Sequence, residues 1–260
     1  MLHYKTKEEV EYIRRSSLLV ARTLGEVAKH IKPGVTTLEL DKVAEEFIRD
    51  NGGSPAFKGY NGFPNSLCIS PNEQVVHGIP GKNILDEGDI VSVDCGVLLE
   101  GYYGDSAFTF TVGEVSEEKG MLLKVTRECL NIAIENAVEG KRLGDIGWAV
   151  QDHAENHGYS VVRELVGHGI GKHLHEKPEV PNYGKRGSGL VLREGLVLAI
   201  EPMINMGKRN VVQEKDGWTI RTADKKPSAH FEHTVAIGKE KADVLSTFEY
   251  VDAVILEKVN

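Results

Sequence analysis

Residues 87–94, EGDIVSVD, and residues 194–201, EGLVLAIE, decide the reading of this chain. Each begins on Glu-Gly, runs through a short apolar strand pattern and ends on an acid. Val93 matches Ile200, and Asp94 matches Glu201. A carboxylate that closes a buried run is costly unless it is paired or bound to a cation. Glu201, followed at once by Pro202, therefore sits at a solvent edge or has a partner supplied by the rest of the chain. The alignment makes Asp94 its counterpart in another part of the sequence.

The same order of elements surrounds both stretches. Residues 7–31 read as an amphipathic helix with Val10, Ile13, Leu24, Val27 and Ile31 on one stripe, stopped by Pro33-Gly34. A second helix over 37–50 turns Leu40, Val43, Ala44 and Phe47 inward and stops at Gly52. A loop-rich stretch leads to two strands, 89–99 and 102–112. Helices are then expected over 117–138 and 143–157, stopped by Gly140 and Gly158. Residues 159–171 read as a strand entering a glycine-rich loop, followed by strands over 196–200 and 229–238. Gly34 and Gly52 match Gly140 and Gly158 at one constant offset, which weighs against chance similarity of two strands. The expectation is a single α+β domain over 1–260, built from two related halves of about 1–115 and 116–260.

Composition bounds the function. A chain of 260 residues with 40% hydrophobic and 27% charged residues suits a globular protein with a sizeable core. A net charge of −8 gives no basic field to draw it to nucleic acid. No apolar run approaches membrane-spanning length, and the charged opening MLHYKTKEEVEYIRRS has no signal-peptide core. Cys68, Cys95 and Cys129 are far apart and form neither a zinc-ribbon nor a disulfide pattern. A cytoplasmic, reducing location is expected.

The acids then acquire geometry. If Glu100-Gly101 is a two-residue hairpin turn, Asp94 lies opposite Ala107 and Gly96 opposite Asp105. Asp94 and Asp105 become diagonal neighbours on one face, within reach of a shared ion. The other face, Val91, Val93, Cys95, Val97 and Leu99, reads as core. In 229–238, alternation sets His230, Glu232 and Thr234 on one face and Phe231, His233 and Val235 on the other. Taken singly, each acid reads as an edge or ion-pair residue; four acids placed by a repeat read as a cluster. Four carboxylates facing one space raise one another's pKa values, and metal ions resolve the repulsion. Oxygen ligands with one imidazole suit Mn, Fe, Co or Zn. Calcium, which prefers an all-oxygen shell, fits less well.

The histidines fall in loops. Residues 165–178, LVGHGIGKHLHEKP, hold His168, His173 and His175. The spacing is neither a phosphate-binding loop nor the H-E-x-x-H of a zincin. His77 follows an apolar pair in VVHGIP. On spacing alone these are as compatible with a polar loop as with a site.

Five stretches together resemble type I methionine aminopeptidases: GFPNSLCISPNEQVVHGIP (62–80), DCGVLLEGYYGDSAFTF (94–110), GHGIGKHLHEKP (167–178), IEPMIN (200–205) and FEHTVAIG (231–238). They occur in the family's order and span essentially the whole chain. The resemblance implies the pita-bread fold, two pseudo-twofold halves around a central curved antiparallel sheet with helices outside. It implies two divalent ions (Co, Mn, Fe or Zn) held by Asp94, Asp105, His168, Glu201 and Glu232, with Asp105 and Glu232 bridging. It makes His77 and His175 catalytic residues that contact substrate, with Glu201 as proton shuttle. Tyr60, Phe63, Cys68 and Trp218 would line the methionine pocket, with Leu174 near its rim; Phe57 and Leu174 depart from some members. The implied reaction is attack of a metal-bridging hydroxide on the first peptide bond of nascent polypeptides whose second residue is small. The implied partners are those N-termini and, transiently, the ribosome; a monomer is expected. Two relatives stand as rivals: a proline-specific peptidase, which would carry an additional N-terminal domain, and a binding module that has lost its ligands.

Overall fold

The computed structural model describes residues 2–259. In chain order, the elements that position the site are α1 (Lys7–His30), α2 (Thr37–Asp50), β1 (Leu67–Pro71), β2 (Ile90–Leu99), β3 (Tyr102–Thr111), α3 (Glu117–Asn136), α4 (Leu143–Asn156), β4 (Gly167–Gly169), β5 (Val197–Ile200), β6 (Met203–Asn205), β7 (Ser228–His230), β8 (His233–Ala236) and α5 (Glu249–Val259). Local chemistry sets the helix starts. Thr6 accepts from Glu9 N at 3.2 Å while Glu9 caps Thr6 N at 3.0 Å. Thr36 and Glu39 repeat this reciprocal cap at α2, satisfying backbone N–H groups that have no partner within the helix.

Each half supplies a helix pair and a sheet. In the first, β2 pairs with both β1 and β3, and α1 packs on β2 and β3. In the second, β5 pairs with β4 and β8, while α3 and α4 pack together. All strand pairings among the described residues are antiparallel. The turns before β2 and β5 repeat one conformation: Gly88 and Gly195 both have φ of 87°, a left-handed geometry that disfavours side chains.

The two sheets meet along β3. Glu232 N donates to Ala107 O at 2.9 Å, Thr109 Oγ1 donates to His230 O at 2.7 Å, and Thr234 Oγ1 donates to Asp105 O at 2.7 Å. These contacts run in antiparallel register and join the halves into one curved surface. Leu24, Leu40, Val93, Leu130, Val150 and Ile204 all belong to one buried cluster that spans them. Each such side chain contributes about 1.5–3 kcal/mol by leaving water.

Helix positions follow the sequence reading to within a residue or two at each end. The strands of the second half do not. Residues 229–238 form two strands in different sheets, β7 on β6 and β8 on β5, interrupted at Phe231-Glu232. The facing chain breaks at the same level, at Glu201-Pro202, because proline has no N–H to give a ladder. Residues 159–171 contribute Ser160–Val161 and β4 with a loop between. The short strands over 203–222 and α5 were not expected; α5 is too weakly patterned to announce itself.

Candidate active site

Four acids converge where the sheets join. The hairpin register is the expected one: Leu99 faces Tyr102, Asp94 faces Ala107 and Gly96 faces Asp105. Glu100 and Gly101 both have positive φ, 51° and 82°, as a type I′ turn requires. Asp94 and Asp105 therefore share a face. Glu201 and Glu232 sit at the two facing strand breaks. Ser106 Oγ donates to Glu232 O at 2.6 Å and fixes the second acid to the first half's hairpin.

His168, in β4 opposite Ala199, completes the cluster. Its Nε2 lies 3.8 Å from Asp105 Oδ2 and 3.8 Å from Glu201 Oε1. Its Nδ1 is 2.9 Å from Gly169 O. A carbonyl only accepts, so Nδ1 carries the proton and Nε2 turns its lone pair to the acids. His230, which alternation placed on this face without marking it as functional, brings Nε2 to 3.6 Å from Glu201 Oε2.

The electrostatics are those of carboxylates crowded together out of water. Burial pushes Asp94 up to about 7. Burial, then Glu232 and Asp94, raises Asp105 far above the carboxylate range; Glu201 and Glu232 are raised by burial and then by their acidic neighbours. Burial, then His175, lowers His168 to about 3. Asp94 Oδ1, Asp105 Oδ1 and Glu232 Oε1 are buried with no hydrogen-bond partner. Buried polar atoms are almost always satisfied, so three orphaned carboxylate oxygens beside a free imidazole lone pair form a donor set suited to divalent cations. Asp105, His168 and Glu232 place ligand atoms within 4.8 Å of one another.

The acids floor a cavity of about 190 Å³. Phe63, Cys68 and Trp218 give it an apolar wall, with the Phe63 and Trp218 rings edge-to-face at 5.2 Å. Leu174 is buried in that wall rather than at a rim. Tyr60 lines it as well, 2.9 Å from His175 Nδ1 through its hydroxyl. His77 lines the same cavity in a left-handed backbone conformation, φ 58°, which is uncommon for a non-glycine residue and often marks a functional position. Burial, then His175, lowers it to about 4. Every site residue picked from the sequence thus borders one space. Phe57 and Asn61 border it too; for Asn61 the flanking glycines of GYNG were the only available signal.

Residues 11–239 match metallopeptidase family M24. The chain is 50% identical over 246 residues to methionine aminopeptidase 1 of Bacillus subtilis, covering 95% of this chain and 99% of that one. It superposes on the crystal structure of methionine aminopeptidase from Rickettsia prowazekii with a TM-score of 0.94 at 42% identity, over 95% of this chain and 100% of that chain. A prolidase from Pyrococcus furiosus, at 25% identity and a TM-score of 0.78, covers 95% of this chain with 66% of its own.

Proposed function

We infer the reaction from one premise: the chain belongs to metallopeptidase family M24 and, within it, to the methionine aminopeptidases. Its fold is the α+β pita-bread fold, and it is an enzyme that removes N-terminal methionine. A divalent metal is part of that chemistry. We propose that Asp94, Asp105, His168, Glu201 and Glu232 hold two such ions, of Co, Mn, Fe or Zn, and that 1–260 acts as one catalytic domain with halves meeting near residue 115. The orphaned carboxylate oxygens and raised carboxyl pKa values support this. When bound, the ions neutralise the acids and supply Lewis acidity to water and to a peptide carbonyl.

The chain's own groups do the rest. Glu201 carries a proton from the attacking water to the leaving amine. The Tyr60 hydroxyl lies 2.9 Å from His175 Nδ1; with the hydroxyl donating and Nδ1 accepting, the ring's own proton sits on Nε2. Burial lowers the pKa of His175, so near neutral pH it acts as a neutral donor to the developing oxyanion. His77 meets the scissile amide nitrogen. The wall of Tyr60, Phe63, Cys68, Leu174 and Trp218 takes the unbranched thioether, which adapts well to an apolar slot. Crowding by His77 and His175 restricts the second residue to small side chains. The substrates are nascent N-termini, met by a cytoplasmic monomer in transient contact with the ribosome. No described helix is long and apolar enough to cross a membrane.

The observation that carries this reading is the meeting of four acids, Asp105 and Glu232 buried and Asp94 and Glu201 partly so, with His168 on the floor of one cavity. Release of methionine from Met-Ala-Ser, Met-Lys-Ser and Ala-Pro-Ser tests it, after chelation and after return of Mn²⁺ or Co²⁺. Metal-restored cleavage of Met-Ala-Ser alone is expected. Cleavage of Ala-Pro-Ser instead would move the site to proline-directed chemistry, and no cleavage by folded protein would overturn the assignment of roles.

A further inference from the structure

Away from the cavity, the helix pair of the second half gathers a nitrogen-rich cluster. Glu128 lies on α3, and His153 and His157 lie four residues apart at the C-terminal end of α4. Residues so spaced share a helix face, and both imidazoles emerge toward α3. One ligand atom of each of the three residues lies within 4.8 Å of the other two. His153 Nε2 is 2.9 Å from Glu128 Oε2, and the imidazole centroids are 4.4 Å apart.

The tautomer of His157 is fixed by the backbone. Its Nδ1 is 2.8 Å from His153 O, and since a carbonyl only accepts, Nδ1 carries the proton. Nε2 keeps its lone pair. Metal-bound histidines characteristically spend their second ring N–H in this way, on a carbonyl or carboxylate that orients the ring. The simpler account, a Glu128–His153 hydrogen bond beside a helix cap, uses only Nδ1 of His157. It does not account for a ring nitrogen of His157 lying within 4.8 Å of ligand atoms of both other residues.

We propose that Glu128, His153 and His157 form an auxiliary divalent-metal site that ties α3 to α4. Two imidazoles and one carboxylate select Zn²⁺, Ni²⁺, Cu²⁺ or Co²⁺ over Mg²⁺, Ca²⁺ or Mn²⁺. With bonds of about 2.0–2.1 Å, tetrahedral ligand atoms stand roughly 3.3 Å apart, so the cluster closes by a modest contraction. The His153 and Glu128 side chains are 22% and 37% exposed, which gives them room to move and leaves the remaining position open to water. The bound ion is exchangeable. None of the three residues borders the cavity, so the site stands or falls independently of the proposed reaction.

Chelated full-length chain titrated with Zn²⁺ by calorimetry tests this, with bound metal counted after desalting. Wild type is compared with His157→Ala and Glu128→Gln. Each variant is expected to bind one equivalent fewer Zn²⁺ in the micromolar range, and to keep wild-type methionine release with Mn²⁺. Equal stoichiometry in all three proteins, or binding by wild type at this position only at millimolar Zn²⁺, would overturn it. His153→Asn supplies a second check: it retains a donor for Glu128, so it should fold normally yet lose the same ion.

Discussion

The two halves deliver their acids by different means. In the first, Asp94 and Asp105 ride on a ten-residue hairpin whose register is unbroken from Ile90 to Thr111. In the second, Glu201 and Glu232 sit where β5 gives way to β6 and β7 to β8. A continuous ladder places side chains by alternation alone. A broken one places them by the break, and here Pro202 and the contacts from Ser106 and Thr234 to the other half do the fixing. The first half brings Asp94, Asp105 and His77 to the cavity; the second brings Glu201, Glu232, His168 and His175. The proton transfer proposed for Glu201 falls to the more interrupted chain, and the continuous hairpin is its reference surface.

That comparison can be broken at graded cost. Glu201→Gln keeps the shape of the second-half break but removes the titrating oxygen. It should lower kcat by about 10²–10⁴-fold with little loss of Tm, as steady-state kinetics and calorimetry would show. Lys5→Met attacks a link between the halves. Lys5 Nζ lies 2.7 Å from Glu176 Oε2, with both side chains about 95% buried, at 4% and 5% exposure, and Glu176 adjoins His175. Losing the ammonium leaves that carboxylate, among the described residues, with only the His173 N–H as hydrogen-bond partner. It should cost about 3–5 kcal/mol in denaturant unfolding and lower kcat more than it raises KM.

Two glycines sharpen the contrast. A Cβ on Gly167 would meet Ala199 O at 2.4 Å and Glu201 Cγ at 3.3 Å, whereas one on Gly96 would meet the Phe57 ring at 2.6 Å. Both alanine variants should lose about 1–3 kcal/mol of stability. Gly167→Ala should lose more activity, because a backbone carbonyl cannot turn aside as a ring can. Equal activities would deny that the second half is the more exacting. Trp218→Ala should be mildest, lowering kcat/KM for Met-Ala-Ser about 10-fold through lost contact with the methionine side chain.

Legibility followed the same division. The hairpin, its turn and the Asp94–Asp105 face were readable because a two-residue turn and strict alternation leave one register. The four main helices were readable from their apolar stripes and glycine stops. The breaks at Glu201-Pro202 and Phe231-Glu232 were not, since a strand that changes sheets mid-run looks like one strand when only its alternation is seen. The alternation itself survived: His230 and Glu232 face the acids while Phe231 packs edge-to-face with Phe108 and Phe248. His77 and His175 acquired roles only through the family resemblance, because a loop histidine has no periodicity to place it. His230 was visible but unmarked, and its contact with Glu201 depends on tertiary closure.

The acids of both halves meet in one cluster that divalent cations would neutralise, and the pH dependence of stability is the sharpest probe of it. An acid whose folded pKa is raised adds stability below its unfolded value, 3.8 for Asp94, and loses it as pH rises to the folded value, about 7. Histidines lowered from 6.5, His77 to about 4 and His168 to about 3, act in the opposite sense: their contribution is present above 6.5 and lost as pH falls. The two sets oppose each other between those limits, and above 6.5 the carboxyls act alone. Chelated protein should therefore show a Tm that falls as pH rises from about 6.5 through about 7, where Asp94 ionises, with Asp105, Glu201 and Glu232, raised well above the carboxylate range, acting in the same direction. With Mn²⁺ the Tm should be higher and that decline should vanish, since the cation favours the ionised acids. The same decline with and without metal would contradict the account.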